Sequence, residues 1–184
     1  MSTSTFRSQI VAADASQKQG KIWIPGYAMG PLVDAADGIG HYGGANAATT
    51  EILTTLIPIP WDMDVTAAIS LQNYLSFDGV SNDDVFEIDH LYDITEKTSV
   101  VDPVHVAPTT AFTTEDAALT IVEATHESRI YIPGAATIAA NAITAAQQTA
   151  RDLLVLGWEI TLTTMTETQF ALIGAEITYT KRFV

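Results

Sequence analysis

The most constraining feature of this sequence is a run near its C-terminus in which every second residue is large and apolar. The run is Leu153–Thr163 (LLVLGWEITLT). Its alternate apolar positions are Leu154, Leu156, Trp158, Ile160 and Leu162. A period of two over this length predicts a β-strand with one face in a core and the other in water, because a helix would spread the five side chains around its circumference.

A second run, Phe170–Lys181 (FALIGAEITYTK), repeats the alternation. Its predicted core positions are Ile173, Ala175, Ile177 and Tyr179. The connection between the runs, residues 164–169, is short and polar, which favours pairing of the two strands as an antiparallel hairpin. Taken alone, such a hairpin carries no functional meaning.

Composition narrows the class of protein. The chain has 184 residues, 47% of them apolar and only 16% charged, which is typical of one packed globular domain. The formal net charge is −14, a field that repels nucleic-acid phosphates and anionic membranes, so neither is an expected partner. There is no cysteine, which excludes disulfides and thiolate metal sites. The N-terminus lacks the apolar segment of a secretory signal, and no run is long enough for a membrane span.

The rest of the chain divides into a polar arm and a domain rich in short strands. Residues 1–20 are rich in Ser, Thr and Gln and are predicted to form an arm, either mobile or held by a neighbouring molecule; residues 21–184 form the domain. Asp37–Asn46 carries four glycines and is predicted to be a loop. The strands predicted before the final pair are Lys21–Pro25, Thr50–Ile59, Val65–Phe77, Val85–Thr95, Ser99–Val106, Leu119–Ala124 and Arg129–Pro133.

Two polar residues interrupt otherwise apolar strand faces. Asn73 is the one break in the apolar face of Val65–Phe77, and His90 lies among the apolar residues of Val85–Thr95. His90 is predicted to be a hydrogen-bonded histidine of the interior or of an interface, in preference to a metal ligand. The segment Ala135–Arg151 is ambiguous: we predict a strand near Thr137–Ala140 followed by an irregular or briefly helical link without a convincing cap.

Eight to ten short strands with no long helix predict an all-β protein, an antiparallel β-sandwich of the single jelly-roll type. No catalytic, cofactor-binding or metal-binding residue is predicted. The four histidines lie in separate segments without a zinc-binding spacing, and the acidic turns around Asp62 and Asp78 lack the order of an EF-hand loop. Nucleophile-elbow and phosphate-loop motifs are absent from the sequence, so an enzyme is the least favoured reading.

The tryptophans are the remaining candidates for a binding surface. Trp23, Trp61 and Trp158 could line a sugar-binding face. Trp158 is in phase with a core face, which favours packing. Trp61, in a turn beside Pro60, is the expected exposed aromatic, and its expected role is to plug one end of the sandwich.

Three motifs resemble a known family. Lys21–Leu32 (KIWIPGYAMGPL) is similar to a W-[IV]-P-x-x-A-M-x-P segment near the start of many small structural proteins of tailed bacteriophages, although it departs from that segment at Gly26-Tyr27. Leu56–Trp61 resembles the apolar-proline-Trp step that follows in those chains. The closing segments Asp152–Leu156 and Leu172–Thr180 are similar too. The resemblance spans most of residues 21–181, and its middle is matched by pattern only.

The resemblance implies a non-enzymatic virion protein that decorates or cements the capsid exterior after a period in the host cytoplasm. Its implied partners are the major capsid protein and further copies of itself, as a homotrimer. The expected contact residues are Phe6, Ile10 and Val11 in the arm, and Tyr27 and Met29 in the first loop. The alternative is a receptor-binding or carbohydrate-binding head of a phage fibre or tail accessory.

Overall fold

The computed structural model describes residues 18–29, 41–44, 50–78, 85–96, 108–113, 119–122, 125, 129–163 and 169–182. Within these ranges the chain is mostly β-structure, as the alternating pattern predicts. The strands are β1 (Gln19–Pro25), β2 (His41–Gly44), β3 (Thr50–Pro58), β4 (Ile69–Asp78), β5 (Val85–Thr95), β6 (Thr110–Ala111), β7 (Leu119–Thr120), β8 (Ile130–Tyr131), β9 (Ala136–Ile138), β10 (Leu153–Thr163) and β11 (Gln169–Thr180). A short α-helix, α1, spans Ala145–Ala150.

The strands form two antiparallel sheets that pack face to face. The first sheet has the order β1-β11-β4-β8, with β2 also paired to β11 and β9 also paired to β4. The second sheet has the order β3-β10-β5-β6, with β7 also paired to β5. Alternate side chains from both sheets meet between them and exclude water from a continuous core, so the all-β sandwich prediction is confirmed.

The pairing is nested from the ends of the chain inward. β1 pairs with β11, β3 with β10, β4 with β8, and β5 with β6. A long hairpin whose arms fold over together places successive strands in opposite sheets, and this is the topology of a jelly roll. The strands at the centre of each sheet, β10 and β11, are the two with the strongest sequence alternation.

The predicted hairpin between the last two runs is wrong. Leu153–Thr163 pairs with β3 and β5 in the second sheet, whereas Gln169–Thr180 pairs with β1, β2 and β4 in the first. The two runs therefore belong to different sheets. The alternation of apolar and polar residues indicates which face of a strand is buried, but it does not indicate which strand is its partner.

The predicted core face of β10 is confirmed for the four described side chains, Leu154, Leu156, Trp158 and Ile160. Its opposite face is less exposed than predicted. Val155 is buried, and Pro108 lies over Gly157 so closely that a Cβ at that position would be 2.6 Å from the proline Cγ. The segment around Pro108 therefore covers the middle of the outer face of this strand.

The predicted face of β11 is correct for Ala175, Ile177 and Tyr179 and wrong for Ile173. A register shift between Leu172 and Gly174 breaks the pairing with β4. Such a bulge adds one residue to one strand and reverses the facing of the residues before it. Leu172 is therefore fully buried and Ile173 is only partly buried.

Several predicted boundaries need correction. His41–Gly44, predicted to be part of a loop, forms a strand that pairs with β11. β4 begins at Ile69, because Val65–Ala67 form a turn whose amides bond to Asp64. The strands predicted at 119–124 and 129–133 are only two residues long. The strand predicted at 99–106 lies outside the described residues.

The ambiguous segment contains both predicted elements. β9 overlaps the predicted strand at Thr137 and Ile138, and α1 follows. The expectation of no convincing cap is wrong, because Thr144 and Gln147 form a capping box: the Thr144 hydroxyl accepts from the Gln147 amide at 3.2 Å, and the Gln147 side chain accepts from the Thr144 amide at 2.8 Å. Buried Gln148 donates to the carbonyl oxygens of Pro60 and Met63, which ties the helix to the turn after β3.

The boundary between arm and domain falls slightly earlier than predicted. β1 begins at Gln19, and Gly20 lies in the first sheet beneath the ring of Tyr179. Residues 18–20 therefore belong to the domain. Residues 1–17, the rest of the predicted arm, lie outside the described residues.

Candidate interaction surfaces

A chain of three polar side chains joins the two sheets through the core. Asn73 lies on β4 in the first sheet, while His90 and Trp158 lie on β5 and β10 in the second; all three are at most 3% exposed. The indole Nε1–H of Trp158 donates to Asn73 Oδ1 at 3.0 Å, and Asn73 Nδ2 lies 2.7 Å from His90 Nε2. The prediction of a hydrogen-bonded interior histidine is confirmed.

The hydrogen bonds among Trp158, Asn73 and His90 determine which ring nitrogen of His90 carries the proton. The indole nitrogen can only donate, so the oxygen of Asn73 must face Trp158 and the amide NH₂ must face His90. Nε2 of His90 therefore accepts, and its ring proton is on Nδ1. This arrangement gives Trp158 Nε1, both polar atoms of the Asn73 side chain and His90 Nε2 hydrogen-bond partners inside the core, and it links the two sheets.

A pocket lies beside this chain, between the sheets. Its cavity volume is about 20 Å³, room for roughly one water molecule, and the wider space of about 330 Å³ around it includes open solvent. Asn73 and His90 form its polar wall, and Phe86, Ile88, Leu119 and Tyr131 form its apolar wall. Tyr131 belongs to β8 and pairs with Leu75, which also lines the pocket, so the pocket lies beside the β8 edge of the first sheet.

The β8 edge itself is apolar and exposed. Ile130 is 66% exposed and Ile132 is 51% exposed, on either side of the pocket residue Tyr131. β8 pairs with β4 on one side only among the described residues. A short edge strand with two exposed isoleucines is an apolar surface that further protein can cover.

A second exposed surface lies at the opposite side of the same sheet. Trp23 of β1 is 49% exposed on the outer face. Its indole covers the backbone of Gly174, where a Cβ would lie 2.5 Å from the indole Cζ2. The ring of Tyr74 meets the indole edge-on, with the ring centroids 5.2 Å apart and an interplanar angle of 65°. Only glycine at position 174 leaves room for this arrangement.

An exposed ion pair borders Trp23. Glu176 is directly opposite Trp23 in the register between β1 and β11. Its Oε1 lies 2.7 Å from Nζ of Lys21, which is two residues before Trp23 on the same face. The hydrogen bond and the negative charge of Glu176 raise the pKa of Lys21 above its ordinary value, so the lysine is charged at neutral pH.

The carboxylates of Asp62 and Asp64, in the turn after β3, accept hydrogen bonds from neighbouring residues. Asp64 accepts hydrogen bonds from the hydroxyl and amide of Thr66, and these bonds hold the pKa of Asp64 below its ordinary value. Asp62 accepts from the phenol of Tyr179 at 3.1 Å. Burial and this hydrogen bond raise the pKa of Tyr179 to about 12. Both acids are structural parts of the turn.

The predicted contact residues are not brought together by the described structure. Phe6, Ile10 and Val11 lie outside the described residues, as does the side chain of Tyr27, whose backbone is in a 3-10 turn at Gly26–Ala28. Met29 is completely buried and belongs to the core, so its side chain is not offered to a partner. Trp61 is 61% exposed, which confirms the predicted exposure and contradicts the predicted role as a plug.

The sequence contained signals for both surfaces. In β1, Ile22 and Ile24 alternate with Trp23, so the tryptophan is out of phase with the core residues and must face outward. In the segment 129–133, Ile130 and Ile132 alternate with Tyr131 in the same way. The two isoleucines share one face, and pairing of Ile130 with Ser76 identifies that face as the outer one.

The part of the chain that the structure describes contains no group of three or more His, Asp or Glu residues placed to hold a metal ion. None of its helices has the length and apolar character needed to cross a membrane.

The nested strand pairing and the closed two-sheet core define the class of this protein: it is an antiparallel β-sandwich with jelly-roll topology. No protein-family model, curated protein or solved structure matches the chain.

Proposed function

We propose that this protein is a non-enzymatic virion component of a tailed bacteriophage, a decoration or cement protein that binds the major capsid protein on the outside of the capsid. It associates with copies of itself as a homotrimer. The observation that carries the proposal is the apolar β8 edge, where Ile130 and Ile132 are more than half exposed next to an open pocket. The resemblance of the opening and closing segments supports the choice of virion.

The β8 edge supports association through its exposed isoleucines. Burying the exposed part of each isoleucine contributes about 1 kcal/mol per side chain, which is substantial in a contact repeated around a symmetry axis.

The charge distribution supports an external position. Residues 1–17 contain one Arg and one Asp, so the whole net charge of −14 belongs to residues 18–184. A domain with that charge stays soluble before assembly and is repelled by packaged DNA. The arm, which is neutral overall, meets much less repulsion when it approaches another copy.

A binding titration tests the proposal. Purified protein is added to undecorated capsids of its phage, and bound copies are counted by cryo-electron microscopy. We expect binding to saturate at a fixed number of copies per capsid and capsids to resist heating better when saturated. Capsids that stay bare at saturating protein concentration would contradict the proposal.

The alternative function, a recognition head of a fibre or tail accessory, gives the opposite result in a second assay. A head binds host cells and blocks infection when it is added as free protein, whereas a decoration protein leaves infection by intact phage unchanged. Antibody labelling of intact particles also separates the two, since the label lies on the capsid for one and on the tail for the other.

A further inference from the structure

The outer face of the first sheet carries a polar and aromatic corner that the assembly surface does not use. Trp23 is on β1, and β8 is three strands away in the same sheet, a separation of about 14 Å at ordinary strand spacing. Tyr74 lies on β4, the strand that pairs with β8, whereas Trp23 lies on the opposite edge strand, so a contact along the β8 edge approaches Tyr74 and leaves the indole of Trp23 accessible. The corner is defined by Trp23, Tyr74, Lys21 and Glu176.

The corner combines an apolar platform with hydrogen-bonding groups at its border. The indole lies over Gly174 and still leaves about half of Trp23 exposed, while the ring of Tyr74 rises at 65° to it. Glu176 is opposite Trp23 in the strand register, and Lys21 is two residues before Trp23 on the same face. Lys21 Nζ lies 2.7 Å from Glu176 Oε1, so a donor and an acceptor are presented side by side. Both side chains remain accessible to solvent.

We propose that the Trp23 corner binds a neutral carbohydrate, with one pyranose ring stacked on the indole. The carbon-bound hydrogens of a pyranose form an apolar face that matches an exposed aromatic ring. Two adjacent hydroxyls on the ring edge match the Lys21–Glu176 pair, because a hydroxyl both donates and accepts whereas Lys only donates and Glu only accepts.

The charge of the protein selects for neutral sugars. The domain carries −14, and the one cation at the corner is already paired with Glu176. Acidic polysaccharides are therefore repelled, while neutral ones carry no such penalty. The inference does not depend on the proposed capsid role, because it rests only on the geometry of Trp23 and its neighbours.

Affinity electrophoresis tests the site. The full-length protein is run in native gels that contain mixed-linkage β-glucan, galactomannan or dextran, with alginate as the acidic comparison. We expect retardation by at least one neutral polysaccharide and none by alginate. Trp23→Ala should weaken binding at least about tenfold, and Trp23→Phe, which keeps a smaller ring, should restore part of it.

Trp61→Ala is the matched control, because Trp61 is even more exposed than Trp23 but lies in the turn after β3. It should bind as the unsubstituted protein does. Glu176→Gln, which keeps the shape and one acceptor oxygen, should weaken binding severalfold. Circular dichroism verifies that each variant is folded.

Three results would overturn the inference: no retardation by any of the three neutral polysaccharides, equal loss of binding in Trp61→Ala and Trp23→Ala, or stronger retardation by alginate than by the neutral gels. Capsid binding is measured separately, so failure of the carbohydrate site leaves the result for the proposed function intact.

Discussion

Asn73 is the residue on which the polar connection between the sheets depends. It accepts a hydrogen bond from Trp158, and its amide nitrogen faces His90. Its removal therefore leaves two buried atoms, Trp158 Nε1 and His90 Nε2, without this hydrogen-bond partner. Each loss costs about 1–3 kcal/mol. Asn73→Ala should therefore lower the free energy of unfolding by about 3 kcal/mol, measured by urea denaturation.

The matched control for this substitution is Ser76→Ala, on the outer face of the same strand. It should change the free energy of unfolding by less than about 0.5 kcal/mol. Similar small effects of both substitutions would show that the hydrogen bonds of Asn73 do not stabilise the core.

Tyr179 gives the fold a dependence on alkaline pH. Its pKa is raised to about 12, so the folded state holds the phenolic proton more tightly than the unfolded state, where the pKa is about 10. The stabilisation from the neutral phenol is complete below pH 10 and is lost as the pH rises through 12. Tyr179→Phe keeps the ring over Gly20 but removes this contribution.

The stability difference between the unsubstituted protein and Tyr179→Phe should therefore be constant from pH 8 to 9 and shrink between pH 10 and 12, as measured by urea denaturation at each pH. Other alkaline titrations cancel in the difference. A constant difference up to pH 12 would show that the phenol proton is not held by burial and Asp62.

At the scale of the elements, α1 depends on its first turn. The helix spans only six residues, and helices this short are unstable alone. Thr144→Ala removes the oxygen that accepts from the Gln147 amide, and we expect it to lower the free energy of unfolding by about 1 kcal/mol. Gln147→Ala removes the reciprocal hydrogen bond, which the Thr144 amide donates to the Gln147 side chain, and should have a smaller effect.

A double-mutant cycle makes this prediction sharper. Because each side chain of the capping box supports the other, the double variant should lose less than the sum of the two single losses. Additive losses would mean that the two residues act independently and that no capping box forms in solution.

The strands also show which structural features the alternation of apolar residues predicts and which it does not. Leu156 and Trp158 on β10, and Ile177 on β11, are buried as predicted, because a strand turns alternate side chains to opposite faces whatever its partner. Partner choice depends on residues far apart in the chain, so the hairpin prediction failed. The bulge near Gly174 is likewise a property of the pairing with β4, and alternation alone does not reveal it.

Exposure of single aromatic and sulfur-containing side chains was harder to predict than strand identity. Met29, in a loop rich in glycine and proline, is fully buried because the 3-10 turn packs against β11. Trp23 lies within a strand and is exposed because its neighbours Ile22 and Ile24 take the core positions. The phase of a residue within its strand is therefore a better guide to a candidate surface than the type of segment that contains it.

At the scale of the whole molecule, the two faces of the first sheet have different roles. Its inner face forms the core with the second sheet and contributes Asn73 to the polar chain. Its outer face carries the Trp23 corner at one side and the β8 edge at the other. Trp23 and β8 lie on opposite edge strands of this sheet, so the proposed association through β8 leaves the indole open, although it approaches Tyr74 on β4.

Self-association through the β8 edge is the central claim about the molecule, and sedimentation velocity over a range of protein concentrations measures it directly. The unsubstituted protein should sediment as a trimer. The double substitution Ile130→Asp with Ile132→Asp should sediment as a monomer with an unchanged circular dichroism spectrum, because it places charge on an apolar contact. Trp61→Asp, at the other end of the sandwich, should remain a trimer. A monomeric unsubstituted protein, or a double variant that remains a trimer, would contradict the account.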